Sequence, residues 1–105
     1  MFAYTVKCSF ASAALRDEWL AWMRDEHLRD VLEAGALQGE VVDLDGDAPT
    51  CEARYHFRDR AAFDEYVRDH APRLRARGLE RFPTTRGVEY ARSSGIIVLT
   101  GGWPE

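Results

Sequence analysis

Phe2, Tyr4, Val6, Cys8 and Phe10 alternate with Ala3, Thr5, Lys7 and Ser9, the period of two that a strand with one buried face requires. Cys51, Ala53, Tyr55 and Phe57 repeat the pattern against Glu52, Arg54, His56 and Arg58. Residues 37 to 45 read as another strand, less regular because Gly39 and the Val41-Val42 pair interrupt the alternation. Asp45-Gly46-Asp47-Ala48-Pro49 supplies turn chemistry between these two stretches, so they are expected to close a hairpin. Val88 to Arg92 predicts a short fourth strand.

The intervening segments carry the helical period. At 100° per residue Leu15, Trp19, Trp22 and Met23 share one face, and Glu26 falls on the middle of it. The next apolar set, Leu28, Val31 and Leu32, points roughly the opposite way. A straight helix cannot bury both sets against one sheet, which places a break between Asp25 and Leu28. Ser12 is the expected N-cap and Gly35 the terminator. In the second segment Asp59 caps a face of Phe63, Tyr66, Val67, His70 and Leu74. Pro72 lacks an amide donor and pushes Ala71 off helical angles, so an interruption is expected near His70. A fresh segment then runs to about Phe82, where Pro83 stops it.

The order β-α-β-β-α-β defines an α+β, ferredoxin-like fold. Right-handed crossovers place both interrupted helices on one face of a four-stranded antiparallel sheet. Phe2, Tyr4, Val6, Cys8, Ala53, Tyr55 and Phe57 are the expected helix-facing set. Thr5, Lys7, Ser9, Glu52, Arg54, His56, Arg58 and Glu89 fall on the opposite face. The domain spans about residues 1–92, leaving a tail at 93–105. Within it Ser93-Ser94-Gly95 reads as a linker and Ile96 to Leu99 as a strand able to pair with a sheet edge, most readily of a partner subunit. Gly101-Gly102-Trp103-Pro104-Glu105 reads as mobile.

Composition narrows the class. With 46% hydrophobic and 30% charged residues the 105-residue chain reads as one globular domain. A net charge of −4 argues against non-specific binding to nucleic acid or anionic membrane. Arg73, Arg75, Arg77, Arg81 and Arg86 make a basic stretch, but without aromatics on the outer sheet face there is no stacking platform for RNA. They read as a solvated helix face. Only Lys7 among the basic residues is lysine, which favours forked pairing with carboxylates. The start lacks a secretory pattern and no apolar run can span a bilayer, so the expected location is the cytoplasm. Cys8 and Cys51 are accordingly expected as reduced thiols. The three histidines show no metal-ligand spacing, and neither metal nor cofactor is expected.

Glu18-Trp19-Leu20-x-Trp22-Met23-x-x-Glu26-His27, Val31-Leu32-x-x-Gly35 and Tyr66-x-x-x-His70-Ala71-Pro72-Arg73-Leu74-Arg75, continuing to Arg81-Phe82, give the chain a resemblance. It resembles, over about residues 2 to 92, a family of small bacterial proteins known only as a domain of unknown function, a branch of the dimeric α/β barrel superfamily. The resemblance implies a subunit that pairs sheet to sheet in a homodimer. It brings no activity with it. Wider relatives that carry a histidine near the end of the first helix, as His27 is here, include sugar mutarotases, polyketide cyclases and cofactor-free monooxygenases. That analogy is one of fold.

Two readings of Glu26 and His27 stand side by side. They form an acid/base site, with Tyr66 assisting, or Glu26 pairs with an arginine and His27 caps the broken helix. His70, on the apolar face of its helix, reads either as a satisfied core histidine or, with Trp22, as part of a binding site. Arg54 and His56 on the outer face either grip a ligand inside a dimeric cavity or are neutralised by Glu52 and Glu89. The functional expectations are correspondingly two. One is a small-molecule-binding dimer, acting if catalytic as a cofactor-independent isomerase, cyclase or monooxygenase-like enzyme. The other is a non-catalytic binding or regulatory module whose dimer is the functional unit.

Overall fold

Strand β1 (Phe2–Phe10) is central, paired antiparallel with β3 (Thr50–Phe57) on one side and β4 (Val88–Ile96) on the other. Strand β2 (Gln38–Asp43) completes the four-stranded sheet in the order β2-β3-β1-β4. The computed structural model describes residues 1–102, so the mobility expected of 103–105 lies outside the described residues. The alternation along β1 and β3 is realised as burial: Phe2, Tyr4, Cys8, Phe10, Cys51, Ala53, Tyr55 and Phe57 are all buried beneath the helices. Register puts Tyr4 opposite Tyr55 and Thr5 opposite Arg54, so the polar residues form the far face.

Helix α1 (Ala13–Trp22) starts where the Leu15 amide donates to the Ser12 hydroxyl at 3.2 Å. Its continuation answers the phase conflict in a way the wheel does not foresee. Residues Met23–His27 form a π-helical turn, in which the Leu28 amide donates to the Met23 carbonyl, and α2 (Leu28–Glu33) follows directly. One extra residue in the turn advances everything after it by about 100°. The inward series becomes Leu15, Trp19, Trp22 and Met23, then His27 and Val31. Glu26 is thereby turned to the exposed side, which corrects its expected place on the apolar face. Gly35, at φ 126°, adopts the left-handed angles that end the helix.

Helix α3 (Arg60–Asp69) begins with the Ala62 amide donating to Asp59 at 2.8 Å. The interruption falls at His70, and α4 (Ala71–Arg81) carries Pro72 in its first turn, where a missing amide costs nothing. A 3₁₀ turn (Thr84–Arg86) leads into β4. Arg86 anchors it, donating to Glu18 at 2.9 Å and 3.3 Å and to the Arg81 carbonyl at 2.7 Å.

Strand β4 is longer than its sequence suggests, running past Arg92 to Ile96 with Ser93, Ser94 and Gly95 opposite Thr5, Tyr4 and Ala3. The ladder continues because β1 presents a full row of backbone partners whatever side chains β4 offers. The Ile97 amide then donates to the Met1 carbonyl at 3.0 Å. Val98 and Leu99 stand 88% exposed. Among the described residues no helix is long and apolar enough to cross a membrane.

Candidate functional site

A pocket of about 60 Å³ lies between the helix-facing side of the sheet and the helices. At ~10–15 Å³ per water it has room for roughly four to six waters. The sheet supplies Tyr4, Val6, Cys8, Ala53 and Tyr55 as its floor. Trp19, Trp22 and His27 come from the first helical segment and Tyr66 from α3. Arg75 and Gly78 on α4, with Tyr90 and Arg92 on β4, complete the wall.

The π-turn places His27 here. Its imidazole stacks on the Trp22 indole with centroids 4.3 Å apart and planes 17° from parallel. Its Nδ1 is buried without a hydrogen-bond partner. Burial lowers its pKa to about 4, against the smaller upward pull of the Asp30 and Glu26 charges, so the ring is neutral at pH 7. Tyr66 is held in a cluster of rings, 5.2 Å from Phe57 and 6.2 Å from Tyr4. Burial pushes its hydroxyl up to about 12, with Arg75, Arg92 and Arg73 pulling it down, and it remains protonated at neutral pH. Tyr55 is likewise pushed up by burial, and Cys8 to about 12, so both stay protonated at neutral pH.

Of the residues singled out by sequence, the pocket gathers His27, Tyr66 and Trp22. Glu26 is not among its lining residues. Its carboxylate lies 3.7 Å from Arg81 with both side chains about half exposed, which is the ion-pair reading. Arg54 and His56 belong to the opposite face of the sheet, where Arg54 donates through Nε and Nη2 to Glu52 at 3.0 Å and 2.8 Å. His70 lies apart, beside a shallow polar pocket with Asp30, Glu33, Arg73 and Arg77 between α2 and α4, and its Nδ1 is also buried and unpartnered. Among the described residues no group of three or more His, Cys, Asp or Glu side chains converges to hold a metal ion.

Arg75 is the residue that sequence reasoning missed. It was grouped with the solvated arginines of α4, yet it follows Leu74, which is 1% exposed, and so flanks the buried stripe. The i, i+4 pair Leu74 and Gly78 marks that stripe, and Arg75 next to it was the available signal. Its Nη2 donates to the Tyr4 hydroxyl at 3.4 Å, while its Nε is buried with no partner.

Fold and pocket together define a ferredoxin-like α+β domain that holds a partly open, aromatic cavity between sheet and helices. The model of the family described as Domain of unknown function (DUF4286) matches residues 1–89, and the chain belongs to that family. No curated protein matches the chain. Among solved structures it is similar to a dimeric ferredoxin-like protein from an uncultured marine organism, with a TM-score of 0.74, 15% identity, and coverage of 95% of this chain and 97% of that one. It is also similar to HapK from Hahella chejuensis, at 0.69 and 18% identity over all of both chains. A Deinococcus radiodurans protein provisionally described as an antibiotic biosynthesis monooxygenase gives 0.73 and 11% identity, again over all of both chains. At these identities the likeness is one of fold.

Proposed function

We propose that this protein binds a small organic molecule in the pocket between sheet and helices, with the neutral His27 imidazole facing that molecule as a hydrogen-bond partner or as the base of a cofactor-independent proton transfer. The observation that carries the reading is that His27, stacked on Trp22, lines a partly open cavity walled mainly by aromatic and aliphatic groups. With its pKa lowered to about 4, His27 is present at pH 7 as the neutral imidazole, the form that a hydrogen-bond partner or a base requires, and has no imidazolium proton to give as an acid. The protonated Tyr66 hydroxyl is the complementary donor. A small organic substrate also accords with the description of the Deinococcus relative.

Trp19 and Trp22 line the cavity and report on its occupancy. Titration with phenol and 1-naphthol is expected to give saturable quenching of their fluorescence. Gly78→Ala provides the control, because its added methyl would stand 3.4 Å from the Trp22 ring edge, at the wall of the pocket. Alanine in place of a helical glycine should raise stability by about 0.5–1 kcal/mol while weakening probe binding. Binding unchanged in this variant would place the probes elsewhere.

The functional unit under this reading is a dimer of two such sheets. The ordered polar face carrying Thr5, Lys7, Glu52 and Arg54 supports it, as does the description of the marine relative as dimeric. In that dimer the exposed Val98 and Leu99 extend from β4 onto the partner's sheet edge. Sedimentation at micromolar concentration is expected to show a dimer, and deletion of residues 98–105 to weaken it. A full-length monomer under those conditions would remove this part of the proposal.

A further inference from the structure

We propose that the ligand of this pocket carries an anionic oxygen, as a carboxylate, phenolate or enolate on a small flat apolar body, and that the Arg75 guanidinium binds it. The inference rests on the binding function proposed above and names the class of molecule bound.

Three observations support it. Among the described residues the two charged side chains that line the pocket, Arg75 and Arg92, are both cationic, although the protein as a whole carries a net charge of −4. No aspartate or glutamate among the described residues lines the cavity. Two guanidinium groups on the wall favour an anion there over a cation.

The second observation is how Arg75 is held. A guanidinium has five N–H donors in a rigid planar fork. Here Nη2 reaches only the Tyr4 hydroxyl, at a long 3.4 Å, and Nε is buried with no acceptor. Eight of the thirteen arginines lie within 4 Å of a carboxylate, Arg54 at 2.8 Å from Glu52 and Arg86 at 2.9 Å from Glu18 among them, and among the described residues Arg75 is one of the five that do not. With Nε sealed and Nη2 meeting only a tyrosine at a long distance, it is the Nη1/Nη2 edge of Arg75 that remains for a bidentate acceptor.

The third observation is the shape and lining of the remaining wall. Tyr4, Tyr55, Tyr66 and Trp22 offer ring faces and edges, which suit a planar body better than a branched aliphatic one. The enclosed volume of about 60 Å³ is well below the roughly 150 Å³ of a cavity that takes up benzene, so a ring would extend through the open side of the pocket, with its charged end directed to the Arg75 side.

Matched acid and amide probes test this: acetate and acetamide, benzoate and benzamide, 1-naphthoate and 1-naphthamide, titrated by tryptophan fluorescence at pH 7.5 against the wild-type protein and Arg75→Gln. The wild type is expected to bind the best-fitting acid at least tenfold more tightly than its amide. Arg75→Gln should abolish that preference while leaving amide affinity within about twofold, the signature of a lost charge contact with an intact cavity. Acid and amide binding equally to the wild type would overturn the anion assignment and leave the cavity reading standing. Equal loss of both probes in Arg75→Gln, with an unchanged melting temperature, would overturn the role of Arg75. Absence of saturable binding by every probe, phenol and 1-naphthol included, would overturn both this inference and the function on which it rests.

Discussion

Trp19→Ala is expected to destabilise the protein by ~3–5 kcal/mol, the range for removing a large aromatic from a packed interior. Trp19 is only 3% exposed and packs 5.4 Å from the Phe10 ring, joining the first helix to the central strand. Because it also borders the pocket, its removal would enlarge an existing cavity that the surrounding rings cannot collapse into. For a domain of this size the loss corresponds to a fall in melting temperature of roughly 15–25 °C. Chemical denaturation of the variant gives the free energy directly. A loss below about 1 kcal/mol would show that this face of the helix is not the packed one.

The second large effect is a pH dependence belonging to His27. Above pH 7 its imidazole is neutral in both folded and unfolded chains. Its ordinary value of 6.5 falls to about 4 in the folded protein, where burial disfavours the cation. Between those limits the unfolded chain takes up a proton that the folded protein refuses. Stability from this group is thus fully present above about pH 7 and declines as pH falls from 6.5 toward 4. At 1.36 kcal/mol per unit, and allowing for the partial exposure of the ring, the loss is about 2–3 kcal/mol. His27→Phe keeps a flat ring against Trp22 and removes the titration. Urea unfolding of both proteins at pH 7.5 and 5.0 is expected to show the wild type losing ~1.5–2 kcal/mol more than the variant. Parallel behaviour of the two would mean that His27 is solvated in the folded protein.

The parts of the fold that were legible from sequence are those where one physical cause dominates. Strict alternation in β1 and β3 sets their buried faces, and Ser12, Asp59, Gly35 and Pro72 act locally through hydrogen bonding or backbone angle. Strand β4 was only partly legible. Ser93, Ser94 and Gly95 have weak strand preference, and what extends the strand to Ile96 is the backbone of β1, which no property of those three residues reveals.

The site was legible to a lesser degree. The conflict between the Trp19 and Val31 faces marked where the helix must change, and it led to His27. The conflict admits two resolutions, a break or a wider turn, and they differ in which residue faces inward. Under uninterrupted spacing it is Glu26; through the π-turn it is His27. Tyr4 and Tyr55 were legible as buried but not as pocket walls, because alternation reports burial and says nothing of whether the covering helix leaves a gap. Arg75 was hidden among like residues. A charged side chain beside a buried stripe can lie outward or tuck its stem beneath the helix, and the choice is made by the space that Gly78 and Tyr4 leave open.

The wider turn at Met23–His27 also makes residue count a structural variable in this helix. Deleting any one of those five residues would restore ordinary spacing, swing Leu28–Glu33 back by about 100° and carry Val31 out of the core. A point substitution can weaken a contact by degrees, whereas this change exchanges one whole inward set for another. Two related chains that differ in having the turn would therefore be offset by one position from here onward, with the gap inside a helix instead of a loop. Matching them residue for residue without that gap would set Glu26 of this chain against the position that His27 fills in space.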